Sequence, residues 1–167
     1  MSVVFTSRVF SVEVSQRTFP NGTEHEVTIV RHAPSVVIVP VAEDGRIILI
    51  RQYRPSVDRE LWEVPAGSLR PSERPEAGAT RECEEEIGLV PRVLRRVGGL
   101  FPAPGFCDEE LIFFVASDFV SPPPDSPNRP DDDEYIVAER YTLEEARAMV
   151  QRGDIVDLKT AYGLTLV

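Results

Sequence analysis

Cysteine is scarce in this chain: Cys83 and Cys107 are its only two among 167 residues. Two thiols without CxxC spacing cannot staple a small secreted domain or build a structural zinc site, so the pattern fits a reducing compartment. Long apolar runs are missing as well. No stretch approaches the length of a membrane span, and "MSVVFTSRVFSVEV" lacks the basic segment, apolar core and small-residue cleavage site of an export signal. The expectation is a soluble, cytoplasmic protein. Positive charge is in deficit, since 18 Lys and Arg against 28 Asp and Glu leave a formal net charge of -10. Such a surface repels nucleic-acid polymers and acidic membranes, and it admits a small anionic ligand only where arginines or metal ions reverse the field locally. Histidine is nearly absent. His25 and His32 fall in or beside predicted strands with no serine-elbow motif nearby, so they read as structural or surface residues and not as triad members.

What is present is enough for one core. With 42% apolar residues in 167, and neither an internal repeat nor a linker, the chain reads as one domain spanning 1–167. "RVFSVEVSQRTF" and "EHEVTIVRH", joined at Pro20-Asn21-Gly22, predict an antiparallel strand pair. "SVVIVPV" and "RIILIRQYR" flank the turn Glu43-Asp44-Gly45 and predict two buried strands, with Pro40 an awkward residue for a central one. "LWEVPAG", "VLRRVGGLF", "ELIFFVASDF" and "EYIVAERY" add further strands. Pro75 and Gly88 bracket one helix, and the capping box Thr142 to Glu145 opens another that runs towards Gly153. A last helix is expected over roughly 157–166. The Pro-rich acidic run 121–133 has no apolar periodicity and predicts a mobile surface loop. The class is α+β.

The helix between Pro75 and Gly88 carries the chemistry. At 100° per residue, Glu82, Glu85 and Glu86 converge on one side, while Glu84 points to the other. Ala79, Cys83 and Ile87 form an apolar stripe beside the cluster, which puts the carboxylates at the border of the core. Gly78 lies one turn earlier on the same face and leaves room. Like charges one turn apart and acids at the negative end of the helix dipole together cost about 1–2 kcal/mol. A divalent cation turns that repulsion into coordination, because Mg²⁺ takes carboxylate oxygens together with waters and phosphates. Arg81, next to the cluster, can orient one carboxylate.

Gly67, Glu73, Arg81-Glu82, Glu85-Glu86 and Gly88-Leu89, at these spacings, resemble the Nudix box, with Cys83 at a position that usually holds a larger aliphatic residue. The resemblance implies a Nudix-type α/β/α sandwich with a mixed sheet, carrying the N-terminal antiparallel strand pair. It further implies water attack on a pyrophosphate joined to a nucleoside. Carried over, Glu82, Glu86 and Glu85 would be metal ligands together with the backbone carbonyl of Ala66. Glu85 would alternatively orient water, with Arg81 and Glu73 in support. The metal would be Mg²⁺, with Mn²⁺ as a substitute.

"RQYRP", "LWEVPAG" and "PAPGFCDEELIFFVA" resemble the ADP-ribose pyrophosphatase branch of that family. This implies hydrolysis of ADP-ribose to AMP and ribose 5-phosphate. The rivals are another nucleoside diphosphate sugar, such as a GDP-sugar, and a Nudix module that senses a nucleotide without cleaving it. Arg51 and Arg54 become phosphate or ribose contacts, or else strand-end partners of Glu60 and Glu63. Glu63 and Glu109 become carboxylates near substrate or metal, or ordinary strand-end charges. The branch also implies a catalytic glutamate from a loop after the box, here Glu134 with Asp133 as the alternative. Finally, it implies a homodimer formed through residues 1–34, with the catalytic core in 35–167.

Overall fold

Ser35 to Pro40, "SVVIVP", is buried at every position. Only a strand covered on both faces tolerates such a run, and that strand organises the molecule. The computed structural model describes residues 2–128 and 136–167. In chain order these give β1 (Ser2–Thr6), β2 (Phe10–Thr18), β3 (Glu24–His32), β4 (Ser35–Pro40), β5 (Ile47–Arg54), β6 (Arg59–Glu63) and β7 (Ala66–Ser68). Helix α1 (Pro75–Ile87), β8 (Val90–Leu100), β9 (Leu111–Val120), β10 (Ile136–Tyr141), α2 (Leu143–Arg152) and α3 (Leu158–Gly163) follow.

Among the described residues the strands form three sheets, ordered β1-β2-β3, β10-β5-β6 and β7-β4-β9-β8. The last is mixed: β4 runs parallel to β9 and antiparallel to β7, and β8 pairs antiparallel with β9. Alternation along β4 then sorts the core into two layers. Val36 and Ile38 meet Ala79 and Cys83 of α1, with Ile112, Phe114 and Ala116 of β9. Val37 and Val39 face the other way into a cluster with Ile47, Leu49, Phe113, Met149 and Leu164. Each fully buried Val, Ile or Phe in these layers contributes roughly 1.5–3 kcal/mol over an exposed one. The expected α+β sandwich is therefore observed.

Three local expectations change. The N-terminal pair has a further strand before it, since β1 pairs antiparallel with β2. Although the Glu43-Asp44-Gly45 turn is present, with Gly45 at φ +79°, β4 and β5 enter different sheets; their side chains share a core cluster, and an isolated bridge joins Val41, just past β4, to Ile47. "LWEVPAG" is two strands: β6 pairs with β5, and beyond Pro65 β7 pairs with β4. Pro65 has no N–H to continue a ladder, so the chain changes sheets there. Pro40 is accommodated because its missing donor would follow that of Ile38, which bonds the Pro65 carbonyl at 2.9 Å, and β7 does not extend that far.

The helix boundaries follow the sequence. Pro75 occupies the first turn of α1, and Gly88 closes it at φ 66°, with the Gly88 N–H donating to the Glu84 carbonyl and the Leu89 N–H to the Cys83 carbonyl. No basic residue offsets the acidic last turn. The capping box of Thr142 and Glu145 is formed, and Gly153 ends α2 at φ 80°. In α3, Thr160 accepts the Val64 N–H at 2.8 Å, which clips the C-terminal helix to the end of β6. No helix among the described residues is long and apolar enough to cross a membrane.

The thiols sit in different surroundings. Cys83 is fully buried between α1 and the sheet, and burial pushes its thiol well above the ordinary range, whereas Cys107 is partly exposed. A thiol reagent is expected to modify Cys107 in the native protein and to reach Cys83 only after unfolding. Rapid modification of both without denaturant would contradict this packing.

Candidate active site

Ala66 and Gly67, on β7, run beside the second half of α1. The Ala66 N–H donates to Glu86 Oε2 at 3.0 Å. Gly67 has no side chain for a physical reason: a Cβ there would overlap Glu82 Oε1 and fall 2.6 Å from Oε2. Glu82 and Glu86, one turn apart and both buried, are thus laid against a bare stretch of backbone. Gly78 serves a different purpose. Its missing Cβ would meet Leu69 Cδ2 at 2.5 Å, so the space it leaves is taken by packing.

Arg81 joins the acids. Its Nε and Nη2 grip both oxygens of Glu73 at 2.9 Å each. Its Nη1 donates to Glu82 Oε1 at 2.5 Å and to Glu85 Oε2 at 2.7 Å, and Nη2 also reaches the Ser68 carbonyl at 3.2 Å. Arg70 adds a bond to Glu85 at 3.1 Å. The paired guanidinium holds the Glu73 carboxyl below its ordinary value, and Glu73 in turn raises Arg81. Among the described residues, no three acidic, His or Cys side chains stand gathered around an ion position. Arg81 provides the counter-charge at Glu82 and Glu85. The donor set nevertheless fits a hard divalent cation, because Glu82, Glu85, Glu86 and the Ala66 carbonyl offer only oxygens.

Two hollows meet at Ala66, Gly67 and Ser68. The larger, about 730 Å³, extends past Arg70, Arg81, Glu82 and Glu85 towards Arg8 and Pro34. The smaller, about 390 Å³, is walled by His32, Ser35, Arg54, Glu109, Asp157 and Lys159. Glu63, bonded to the Arg54 and Lys159 of that wall, is almost fully buried, and burial alone would raise its carboxyl. The forked bonds from Arg54 at 2.8 and 2.7 Å, with the Lys159 ammonium, outweigh burial and lower it. Lys159 also lies 3.0 Å from Asp157. Glu109 accepts from Ser35 Oγ at 2.7 Å and lies 3.5 Å from His32 Nδ1.

Of the residues singled out from the sequence, Ala66, Arg81, Glu82, Glu85 and Glu86 come together, and Arg54, Glu63 and Glu109 gather beside them. Arg51 does not join them. Three positions from Arg54 on a strand, it faces the opposite side, 5.6 Å over the Trp62 ring and 3.6 Å from Glu60. Glu134 and Asp133 lie outside the described residues. Glu84 points away from the cluster as expected, but it does not face water. It is buried and takes a 2.7 Å bond from Asn128, at the near end of the Pro-rich loop. Helical angles give a direction and cannot show that a loop will cover it. Sequence reasoning passed over Ser35, Asp157 and Lys159, and it read His32 as a structural or surface residue. One signal was available, since Lys159 is the only lysine in a chain of arginines.

Residues 31–159 match the NUDIX domain model, and the chain belongs to the Nudix hydrolase family. It is an enzyme of that class. Among its relatives, the ADP-ribose pyrophosphatase of Bacillus subtilis (strain 168) is 33% identical, over 96% of this chain and 86% of its own. The methanol dehydrogenase activator of Bacillus methanolicus is 31% identical over the same shares. A crystal structure of an ADP compounds hydrolase superposes with a TM-score of 0.77 at 27% identity, covering 99% of this chain and 88% of the other.

Proposed function

We propose that this protein is a magnesium-dependent hydrolase that splits ADP-ribose into AMP and ribose 5-phosphate. The observation that carries the reading is the meeting of two hollows at Ala66-Gly67-Ser68, beside the buried carboxylates of α1. That shape suits a substrate with a pyrophosphate in the middle and an organic group on each side. The likeness to an ADP-ribose pyrophosphatase supports the substrate.

Glu82, Glu85, Glu86 and the Ala66 carbonyl would hold Mg²⁺, or Mn²⁺ in its place. Such an ion, when bound, neutralises phosphate oxygens and lowers the pKa of a coordinated water. The chain's own residues do the rest. Arg81 fixes Glu82 and Glu85 in orientation, and Glu73 fixes Arg81. Arg54 and Lys159 bring positive charge to the phosphate path, with Glu63 holding both in place. Glu134, or Asp133, supplies the base that takes the proton from water. Two copies pair through the N-terminal sheet, where Val3 and Val4 are each 60% exposed and Phe5 is 53% exposed. The enzyme works in the cytoplasm.

The test is a panel of ADP-ribose and GDP-mannose with Mg²⁺ in ¹⁸O-water, with products separated by chromatography and weighed by mass spectrometry. The expected products are AMP and ribose 5-phosphate, one of them labelled. GDP-mannose should be turned over at least roughly tenfold less efficiently. Chelation should abolish turnover and added Mg²⁺ restore it. Comparable efficiency on both substrates would turn the reading towards nucleoside diphosphate sugars in general.

A further inference from the structure

Between β6, which ends at Glu63, and β7, which begins at Ala66, the chain crosses from one sheet to another. Val64 and Pro65 belong to neither strand, so no ladder fixes them and their placement depends on single contacts. Three elements supply these. From β4, the Ile38 N–H donates to the Pro65 carbonyl at 2.9 Å. From α1, Glu86 Oε2 accepts the Ala66 N–H at 3.0 Å. From α3, Thr160 Oγ1 accepts the Val64 N–H at 2.8 Å.

Thr160 is fully buried, and so is Val64. A hydroxyl has one proton, and that of Thr160 is committed to Asp157 Oδ2 at 2.5 Å, which also accepts the Thr160 N–H at 2.9 Å. The hydroxyl oxygen is therefore left to accept, which is what the Val64 N–H needs. Gly163 lets the same helix seat closely, because a Cβ there would lie 3.0 Å from Val39 Cγ2 and 4.0 Å from Val64 Cγ2. The crossover is also stiff. The Pro65 ring locks its φ, so a displacement of Val64 is passed on to Ala66 instead of being absorbed between them.

We infer that Thr160 is a positioning residue that acts through Val64 and Pro65 to hold the Ala66 peptide against Glu86. The C-terminal helix thereby helps to arrange the carboxylate site, although the hydroxyl of Thr160 bonds only to Asp157 and Val64. The consequence for metal rests on the reading of Ala66 and Glu86 as Mg²⁺ ligands. Groups that orient ligands in this way change metal affinity by about 10- to 100-fold when they are removed.

The experiment uses the full chain without substrate, as wild type, Thr160→Val and Thr160→Ser. Valine keeps the shape and removes the acceptor, whereas serine keeps the acceptor. Amide hydrogen exchange is followed by NMR, and Mn²⁺ binding by electron paramagnetic resonance. In Thr160→Val the Val64 and Ala66 amides should exchange at least about tenfold faster, while Ile112 and Phe114 of β9 keep their protection. The Mn²⁺ dissociation constant should rise about tenfold, and serine should bring both readouts back to within about twofold. A Thr160→Val protein that melts lower but exchanges Ala66 and binds Mn²⁺ like the wild type would overturn the inference and leave Thr160 a clip for α3 alone. Should Thr160→Val not fold, Gly163→Ala displaces α3 through its Cβ with every hydrogen-bonding group in place. Both readouts should then rise, and unchanged values would overturn the inference. Faster Ala66 exchange in Thr160→Val, with no Mn²⁺ bound by the wild type, would sink the metal reading and leave the positioning role standing. Mn²⁺ binding and ADP-ribose turnover that ignore Thr160→Val would do the reverse.

Discussion

Gly67→Ala is expected to fold like the wild type and to lose about 100-fold or more in ADP-ribose turnover, matching Glu82→Gln. Stability and turnover respond to different features of this position. The backbone of Gly67 needs no glycine for its own sake, because its φ lies outside the left-handed region where side chains are strained. Alanine in a strand also costs the unfolded chain less entropy than glycine, by about 0.5–1 kcal/mol, so stability should hold or rise slightly. What alanine cannot share is the position of the Glu82 carboxylate, which the new Cβ would overlap. The contact is with the far end of a flexible side chain, which can swing away at little cost to folding. When it swings, Glu82 leaves the Ala66-Gly67 backbone, and the proposed Mg²⁺ site would lose a ligand. Melting temperature and turnover should therefore part company. Gly78→Ala makes the contrast, since its Cβ would meet Leu69 at 2.5 Å and disturb packing first. If Gly67→Ala kept full turnover, the position of Glu82 against β7 would not matter to the reaction.

The carboxylate cluster that Gly67 accommodates is legible in the sequence because a rigid helix fixes its spacing. Within α1 the angles between Glu82, Glu85 and Glu86 follow from the helical repeat, and Pro75 and Gly88 mark the ends. Local rules suffice there. They also mark the capping box of α2, the turn at Gly45 and the sides of β4. Pairings between distant segments are harder. Nothing local to "SVVIVPV" and "RIILIRQYR" says that strands joined by a good turn will enter different sheets. The choice depends on β9 lying parallel to β4 and β10 pairing with β5.

The same limit applies to the site. Arg51 and Arg54 look equivalent in "RQYR", yet alternation along β5 sends one to Trp62 and the other to Glu63. His32, Glu109 and Lys159 come from β3, a loop and α3, and only the folded chain makes them neighbours. Glu84 shows that a polar position on a helix can be covered by a segment whose sequence reads as loop.

Arg81→Leu should be the most damaging single change to both folding and activity. The side chain is 9% exposed and binds Glu73, Glu82 and Glu85 at once. Removing one partner of a buried ion pair costs about 3–5 kcal/mol, because the remaining charges stay buried without compensation. Chemical denaturation at pH 7 should show a loss of that order. The pH dependence gives a sharper check. Arg81 lowers the Glu73 carboxyl below its ordinary value of 4.5. A carboxyl depressed in the folded state contributes stability that is fully present above 4.5 and lost as pH falls through the lower folded value. The wild type should therefore weaken on acidification through that window. In Arg81→Leu this contribution is gone, and protonating the stranded acids relieves their repulsion, so the gap between the two proteins should narrow below about pH 4.5. Mg²⁺ at neutral pH should act in the same direction. With the Arg81 guanidinium gone from Glu82 and only Arg70 left at Glu85, the cation meets more unbalanced negative charge and should raise the melting temperature of the variant more than that of the wild type. A variant equally stable at pH 7, or indifferent to Mg²⁺, would mean that Arg81 is not what holds these carboxylates together.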